Sequence, residues 1–312
     1  MSIKKTRVVI IQGPTGVGKT EVALALAGQF PVEIINADSM QVYRYLDIGT
    51  SKPNPAQQQR VPHHLLSIIN PDEDFSAAQF KALARRAIAD ITARGLLPLV
   101  VGGTGLYIRA LTRGLFTAPA KSEELRAELR RKAQQEGAES LYKLLQEQDP
   151  PAAQKINPHD TLRIIRALEV LCLTGVPISR HQQDHAFNDE PYATLKIGLM
   201  RDRQELYQRI EERVEQMTGA GLKEEVQSVL ARGYSSSLKS LQSIGYRQMT
   251  AFTEGRLSWE EAVQQMKRDT RRFAKRQLTW FGKDPEIEWI MLPDRQHEAA
   301  VKIKNFLKPE IN

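Results

Sequence analysis

A single cysteine, Cys172, stands among 312 residues, so no disulfide can form within the chain. Its neighbours in RALEVLCLTG have helical spacing, and the expected role is a small buried hydrophobe in a reducing compartment. Long apolar runs are also missing. The run VVII, close behind Lys4, Lys5 and Arg7, is too short for a signal peptide and stops at a glycine-rich loop. Nothing approaches the roughly 18 apolar residues that span a bilayer, so the expectation is a cytoplasmic protein with no membrane partner. Internal repeats and low-complexity tracts are absent. His63 and His64 have no cysteine or further histidine at ligand spacing, which argues against a zinc site, and no chemistry is assigned to them.

What is present is ordinary globular material: 41% hydrophobic and 26% charged residues, enough for one large core or two modest ones. Lysine and arginine total 44 against 37 acids, a net charge of +7. That excess is compatible with a polyanionic partner, although plain soluble enzymes share it.

The first third alternates strand and helix signals. RVVIIQG precedes a helical run from Lys19 to Phe30; VEIINAD follows, then a helix from about Gln79 to Ala93, then LLPLVVGG. This order predicts a parallel sheet covered by helices. Ser76 with Gln79 makes a capping-box pattern, and Gly95 supplies the stop. Strand signals vanish from about Thr117 to Pro191, where helical periods follow caps at Ser122 and Asp160. Strand-like TLKIGLM and a last strand at EIEWIML come later. The expected fold is therefore α/β, a P-loop-type parallel sheet core with an inserted all-helical domain. Residues 1–116 and 193–312 form the core with basic C-terminal helices, and 117–192 form the insertion.

The core's phosphate loop is explicit. GPTGVGKT supplies Gly13, Pro14, Thr15, Gly16, Val17, Gly18, Lys19 and Thr20 in the G-x-x-x-x-G-K-[ST] pattern, after a β-branched strand and before a helix. Its glycines let backbone N–H groups turn to an anion, Lys19 reaches terminal phosphate oxygens, and Thr20 can hold Mg²⁺. The reaction is left open by this loop. An ordinary P-loop NTPase also wants an acid at the end of a second strand, whereas PLVV ends in Gly102, Gly103, Thr104 and Gly105. That end leaves room for a ligand and offers it the Thr104 hydroxyl, or is simply a tight turn. A carboxylate stands instead at the end of VEIINAD, where Asp38 should face the phosphate loop across the cleft as a base, or serve as a turn or cap residue.

Read together, GPTGVGKT, DSMQVYRYLDIGTSKP, VPHHLL, VGGTGLY and SIGYRQM occur in an order that resembles the tRNA dimethylallyltransferase (isopentenyltransferase) family nearly end to end. The resemblance implies that the loop holds the diphosphate of dimethylallyl diphosphate with Mg²⁺. It implies that the acceptor is the exocyclic amine of the adenosine beside the anticodon of tRNA, and that pyrophosphate leaves. Lys19, Thr20, Thr104 and the loop amides would then stabilise the charge that develops on the departing diphosphate. Asp38 matches the family's aspartate that hydrogen-bonds the amine and removes its proton. Arg213 sits where the family carries an arginine thought to reach the diphosphate; Arg209, one helical turn away, is not separated from it by sequence.

For tRNA, held by its anticodon stem-loop, the resemblance implies four further stretches. Asp38, Ser39, Met40 and Gln41, with Thr104, would line the adenine pocket. Leu162, Arg163, Ile164, Ile165 and Arg166 would present cations from the insertion, with Arg126 near the flipped base. Gln242, Ser243, Ile244, Gly245, Tyr246 and Arg247 would touch the anticodon loop. Lys275, Arg276 and Gln277 belong to the family's AKRQ-T-W segment, with Gly282 and Lys283 where the family often has an arginine.

That segment lies on one expected helix after the capping box Ser258 to Glu261. Lys267, Arg268, Arg271, Arg272, Lys275 and Arg276 share about half its circumference, opposite Met266, Phe273 and Trp280. The stripe either tracks a nucleic-acid backbone or is a solvated face. A monomer suffices for all of this. The rival activities are a P-loop nucleotide or small-molecule kinase, prenylation of free AMP, and a non-catalytic RNA-binding module.

Overall fold

The computed structural model describes residues 5–116 and 119–308. It divides into two compact units, one comprising the residues up to Thr112 and from Glu190 onward, the other Arg113–Asp189.

The first unit begins β1 (Thr6–Gln12), α1 (Lys19–Ala27), β2 (Val32–Asn36), α2 (Pro55–Arg60), β3 (His63–His64), α3 (Ala77–Ala93), β4 (Leu97–Gly102) and α4 (Gly105–Arg113). The second unit holds α5 (Glu123–Glu136), α6 (Ala138–Gln148), α7 (Pro150–Ala153), α8 (Thr161–Thr174) and α9 (Ile178–His185). The first unit resumes with β5 (Tyr192–Met200), α10 (Arg203–Gly219), α11 (Leu222–Ala231), α12 (Tyr246–Thr253), α13 (Trp259–Phe281), β6 (Ile287–Met291) and α14 (Glu298–Leu307). The fold is thus α/β with a helical insertion between β4 and β5.

The strands form one sheet in the order β3-β2-β4-β1-β5-β6, and every pairing is parallel. A sheet covered on both sides wants apolar side chains in both directions, and β1 shows this residue by residue. Val8 and Ile10 join the core on one face; Val9 and Ile11 join the core on the other. All four are fully buried. β5 starts at Tyr192, two residues ahead of the expected TLKIGLM, because Tyr192 and Ala193 extend the ladder opposite Thr6 and Arg7.

Register sets the site. Gln12 pairs with Gly102 and Asn36 with Val101, so the carboxyl ends of β1, β4 and β2 finish side by side. The turns that follow them carry Gly13, Gly103 and Asp38 into one crevice, where ligands of open α/β sheets bind.

The helical unit has its own core of Leu129, Leu141, Leu145, Ile164 and Leu168. Ser122 and Asp160 cap α5 and α8, accepting from Leu125 N and Arg163 N. Its two ends meet: a Cβ placed on Gly114 would overlap the Asp189 carboxylate. Cys172, expected inside, is exposed, because the buried face of α8 stops at Val170.

Candidate active site

The phosphate loop turns on glycines with left-handed backbone, among them Gly16 (φ +80°) and Gly18 (φ +108°), which other residues adopt only with strain. Gly18 leads directly into α1 at Lys19. Lys19 Nζ donates to Gly13 O at 3.0 Å and Pro14 O at 2.8 Å, folding its side chain back over the loop. Burial lowers its pKa to about 8, the Asp38 charge resists that shift, and Arg213 adds to it. These three charges therefore feel one another.

Asp38 follows β2 in a tight turn. Its Oδ1 accepts from Met40 N at 2.8 Å and Gln41 N at 3.3 Å, so the turn role foreseen for it is real. The residues on either side are held by Thr104: Thr104 N donates to Ala37 O at 3.1 Å, and Ser39 N donates to Thr104 Oγ1 at 3.0 Å. Asp38 nevertheless lines the cleft, in a cavity of about 490 Å³ shared with Thr15, Lys19, Thr20, Gln41, Arg209 and Arg213.

The two candidate arginines of α10 part company here. Arg209 donates to Gly16 O at 3.1 Å and pairs with Glu21, so it braces the loop. Arg213 NH2 donates to Thr50 O, at 3.5 Å. Burial lowers the Arg213 pKa, opposed by the charges of Asp38 and then Glu21. Arg213 also borders a second cavity of about 340 Å³, with Met40, Ile210, Val214, Met217, Met266 and Phe273 among its apolar walls and Asp38 and Thr104 among its polar ones. Thr15, Asp38, Arg213 and Phe273 border both cavities. A charged chamber and a largely apolar one thus share the edge at which the carboxylate stands.

Residues 41–284 match the family model described as IPP transferase, and residues 6–67 match that described as isopentenyl transferase. The chain belongs to the IPP transferase family. Among relatives in that family, tRNA dimethylallyltransferase 2 of Syntrophus aciditrophicus is 53% identical across 99% of both chains. The tRNA dimethylallyltransferase of Geobacter metallireducens is 51% identical over 97% of this chain and 98% of its own. The crystal structure of full-length tRNA isopentenylpyrophosphate transferase from Bacillus halodurans superposes with a TM-score of 0.72, at 39% identity and 97% coverage of each chain. A eukaryotic dimethylallyltransferase acting on tRNA gives a TM-score of 0.80 at 27% identity, covering 96% of this chain and 79% of that one.

For an IPP transferase the placement of the expected RNA-facing residues is uneven. Ser39, Met40, Gln242, Ser243, Ile244 and Gly245 line the second cavity. Tyr246 does not: it is fully buried, and its hydroxyl donates to Glu225 Oε1 at 2.6 Å. Ile164 and Ile165 are likewise buried, in the core of the helical unit, while Leu162 is 77% exposed and Arg163 points outward beside Asp160. The α8 helix can turn only part of its circumference outward. Arg126 and Arg166 converge on Glu169, which is fully buried and also accepts from Ser122 N. Burial pushes the Glu169 carboxyl up, but the hydrogen bonds from Arg126 and Arg166 prevail and bring it down to about 2. Arg247 is half-exposed and pairs with Asp269 at 2.8 Å.

Along α13 the expected division into a basic face and an apolar one is corrected. Met266 is buried, but Phe273 and Trp280 are 38% and 39% exposed, and the helix instead buries Ala262, Ala274, Gln277 and Phe281 inward. Lys267 and Arg271 are engaged by Glu215 and Glu211 of α10, whereas Lys275 and Arg276 remain exposed. Arg276 lies 5.7 Å from the Phe273 ring centroid. Gln277 is 7% exposed, with both ends of its amide occupied inside the protein.

Sequence reasoning missed Phe273 as a cavity residue, although an aromatic beside a basic stripe is the combination that stacks bases. It also missed Glu225, which accepts from Asp47 N, Ile48 N and Gly49 N at 3.0, 2.7 and 3.2 Å. Those partners lie more than 170 positions away, and no local pattern announces them.

Proposed function

We propose that this chain transfers the dimethylallyl group of dimethylallyl diphosphate to the exocyclic amine of the adenosine adjacent to the anticodon in tRNA, releasing pyrophosphate. The observation that carries this reading is the shared edge of the two cavities: Asp38 stands between a cationic phosphate chamber and an apolar one. The diphosphate lies against residues 13–20 and Arg213; the five-carbon group and the adenine occupy the apolar side.

In the reaction the adenine nitrogen forms a bond to the first carbon of the allyl group as that carbon's bond to oxygen breaks. The bonding pair leaves with pyrophosphate, and the proton of the amine passes to Asp38. Lys19 and Arg213 stabilise the charge arriving on the leaving oxygen, an effect worth most in the transition state. Thr104 keeps the Asp38 turn in register and can offer its hydroxyl proton to the diphosphate, since Ser39 N uses only an acceptor site on Oγ1.

Mg²⁺ fits the donors present. Among the described residues no group of three or more His, Cys, Asp or Glu could cage a metal. Mg²⁺ commonly makes do with few protein ligands plus substrate phosphates, and the Thr20 hydroxyl, which lines the first cavity, would be the protein donor that holds it. When bound, it neutralises diphosphate charge.

Lys275, Arg276 and the outward Arg163 supply phosphate contacts for the anticodon stem-loop. The kinase alternative lacks support at β4, which ends in Gly102, Gly103, Thr104 and Gly105 with no acid to manage a metal. The test is mass spectrometry of tRNA incubated with the protein, Mg²⁺ and dimethylallyl diphosphate. A single adenosine heavier by one dimethylallyl group is expected; unmodified tRNA, or ADP formed from ATP, would refute the reading.

A further inference from the structure

Gln277 occupies an unusual place on α13. It is buried, yet its helix neighbours Lys275 and Arg276 are exposed. Its Oε1 accepts from Thr15 N of the phosphate loop at 2.9 Å, and its Nε2 donates to Gly103 O of the turn after β4 at 2.9 Å. The fit is close, since a Cβ on Gly103 would overlap Gln277 Nε2 and one on Gly105 would overlap the Trp280 indole. The residue after Gly103 is Thr104, whose amide and hydroxyl bond Ala37 O and Ser39 N on the two sides of Asp38. One side-chain amide therefore closes the path from the phosphate loop to the turn that carries the carboxylate.

We infer that Gln277 is a positioning residue for the transfer, its amide fixing the separation between the phosphate loop and the Thr104-held turn that carries Asp38. The inference rests on the proposed function for its catalytic consequence. Two corollaries follow. The Thr15 amide is committed to Gln277 and is not one of the donors that cradle the diphosphate. The Gln277 side chain borders the first cavity but acts by holding the loop and the turn together, not as a tRNA contact.

The amide suits this place because one of its ends accepts and the other donates. Q277E keeps the shape and the acceptor for Thr15 N but sets a carboxylate against the Gly103 carbonyl; Q277L removes both bonds. Misplacement of reacting groups by about 1 Å can cost on the order of a hundredfold in rate. For both variants, per folded molecule, kcat for dimethylallyl transfer should fall at least tenfold while the Kd for tRNA stays within twofold of wild type. Hydrogen exchange of the peptide containing Thr15 should quicken in Q277L and stay close to wild type in Q277E. A purely structural role would lower the melting temperature and leave kcat per folded molecule unchanged. The inference is overturned by wild-type kcat in both variants, by a loss confined to tRNA affinity, or by unaltered exchange in Q277L. If Q277L does not fold, Q277E decides by the same kinetic split. If the wild-type protein transfers no dimethylallyl group, the functional reading fails by itself, and the exchange measurement still judges the clamp.

Discussion

The Tyr246 hydroxyl donates to Glu225 at 2.6 Å from a fully buried ring. Burial, reinforced by the Glu225 charge, raises the tyrosine pKa well above its ordinary value, so it remains a donor. The same carboxylate gathers the backbone N–H groups of Asp47, Ile48 and Gly49. The loop it holds continues to Thr50, whose carbonyl accepts from Gln41 at 3.1 Å and from Arg213. Tyr246→Phe should cost about 1 kcal/mol, the net worth of one hydrogen bond. Glu225→Ala strands four donors and should cost about 3 kcal/mol. Urea unfolding of the two variants checks the ordering, and activity should fall further in Glu225→Ala than in Tyr246→Phe.

Asp38 combines a turn role with a chemical one, and two substitutions separate them. Asp38→Asn retains an oxygen for Met40 N and Gln41 N but is not a base. It should melt near wild type and lose roughly 10²–10⁴ in kcat, the usual span for general-base catalysis. Asp38→Ala should lose as much activity and some stability besides. Both should bind tRNA within twofold of wild type, as read by filter binding. Substantial transfer by either variant would remove Asp38 from the mechanism.

Phe273 distinguishes a cavity residue from a core residue. A packed phenylalanine truncated to alanine costs about 3–5 kcal/mol, but this ring is 38% exposed and faces both cavities. Phe273→Ala should therefore leave the melting temperature almost unchanged. It should raise the KM for tRNA about tenfold or more, since stacking on a base contributes about 1–3 kcal/mol. Phe273→Tyr should restore binding.

Glu169 gives the helical unit a pH dependence of definite sign. Its folded pKa is depressed to about 2 from the ordinary 4.5 of a glutamate carboxyl. The stabilisation is thus complete above the ordinary carboxylate range and is lost as pH falls from about 4.5 toward 2. Glu169→Gln, which removes the buried carboxylate charge shared by Arg126 and Arg166, should destabilise by about 3–5 kcal/mol at neutral pH. Thermal melts between pH 7 and pH 3 should show the gap between wild type and variant narrowing as the medium becomes acid.

The legible parts of the molecule were those governed by neighbours in sequence. β1, the glycine turn and Lys19 form a contiguous unit whose chemistry is local, and the capping boxes at Ser76 and Ser258 act across three residues. The parallel sheet followed from alternating strand and helix signals. What escaped was the choice of which helix face meets the protein. The pattern of α13 set Phe273 and Trp280 inside, yet the helix lies with Ala274 and Gln277 inward because glycines at 103 and 105 leave recesses for Gln277 and the Trp280 edge. Tyr246, Ile164 and Ile165 were drawn into a binding surface by adjacency to residues that can form one; packing turned them inward.

The meeting of Gly114 with Asp189 bears on how the chain reaches its fold. β1 must find β5, its partner from the far side of the insertion, across a long stretch of polypeptide. A segment that compacts on its own core and returns its ends to one spot shortens the effective loop, and each halving of such a loop relieves about 0.6 kcal/mol of closure entropy. During synthesis the insertion emerges before β5. By folding first it would act as a tether, delivering the next strand to the open edge of β1 rather than delaying it.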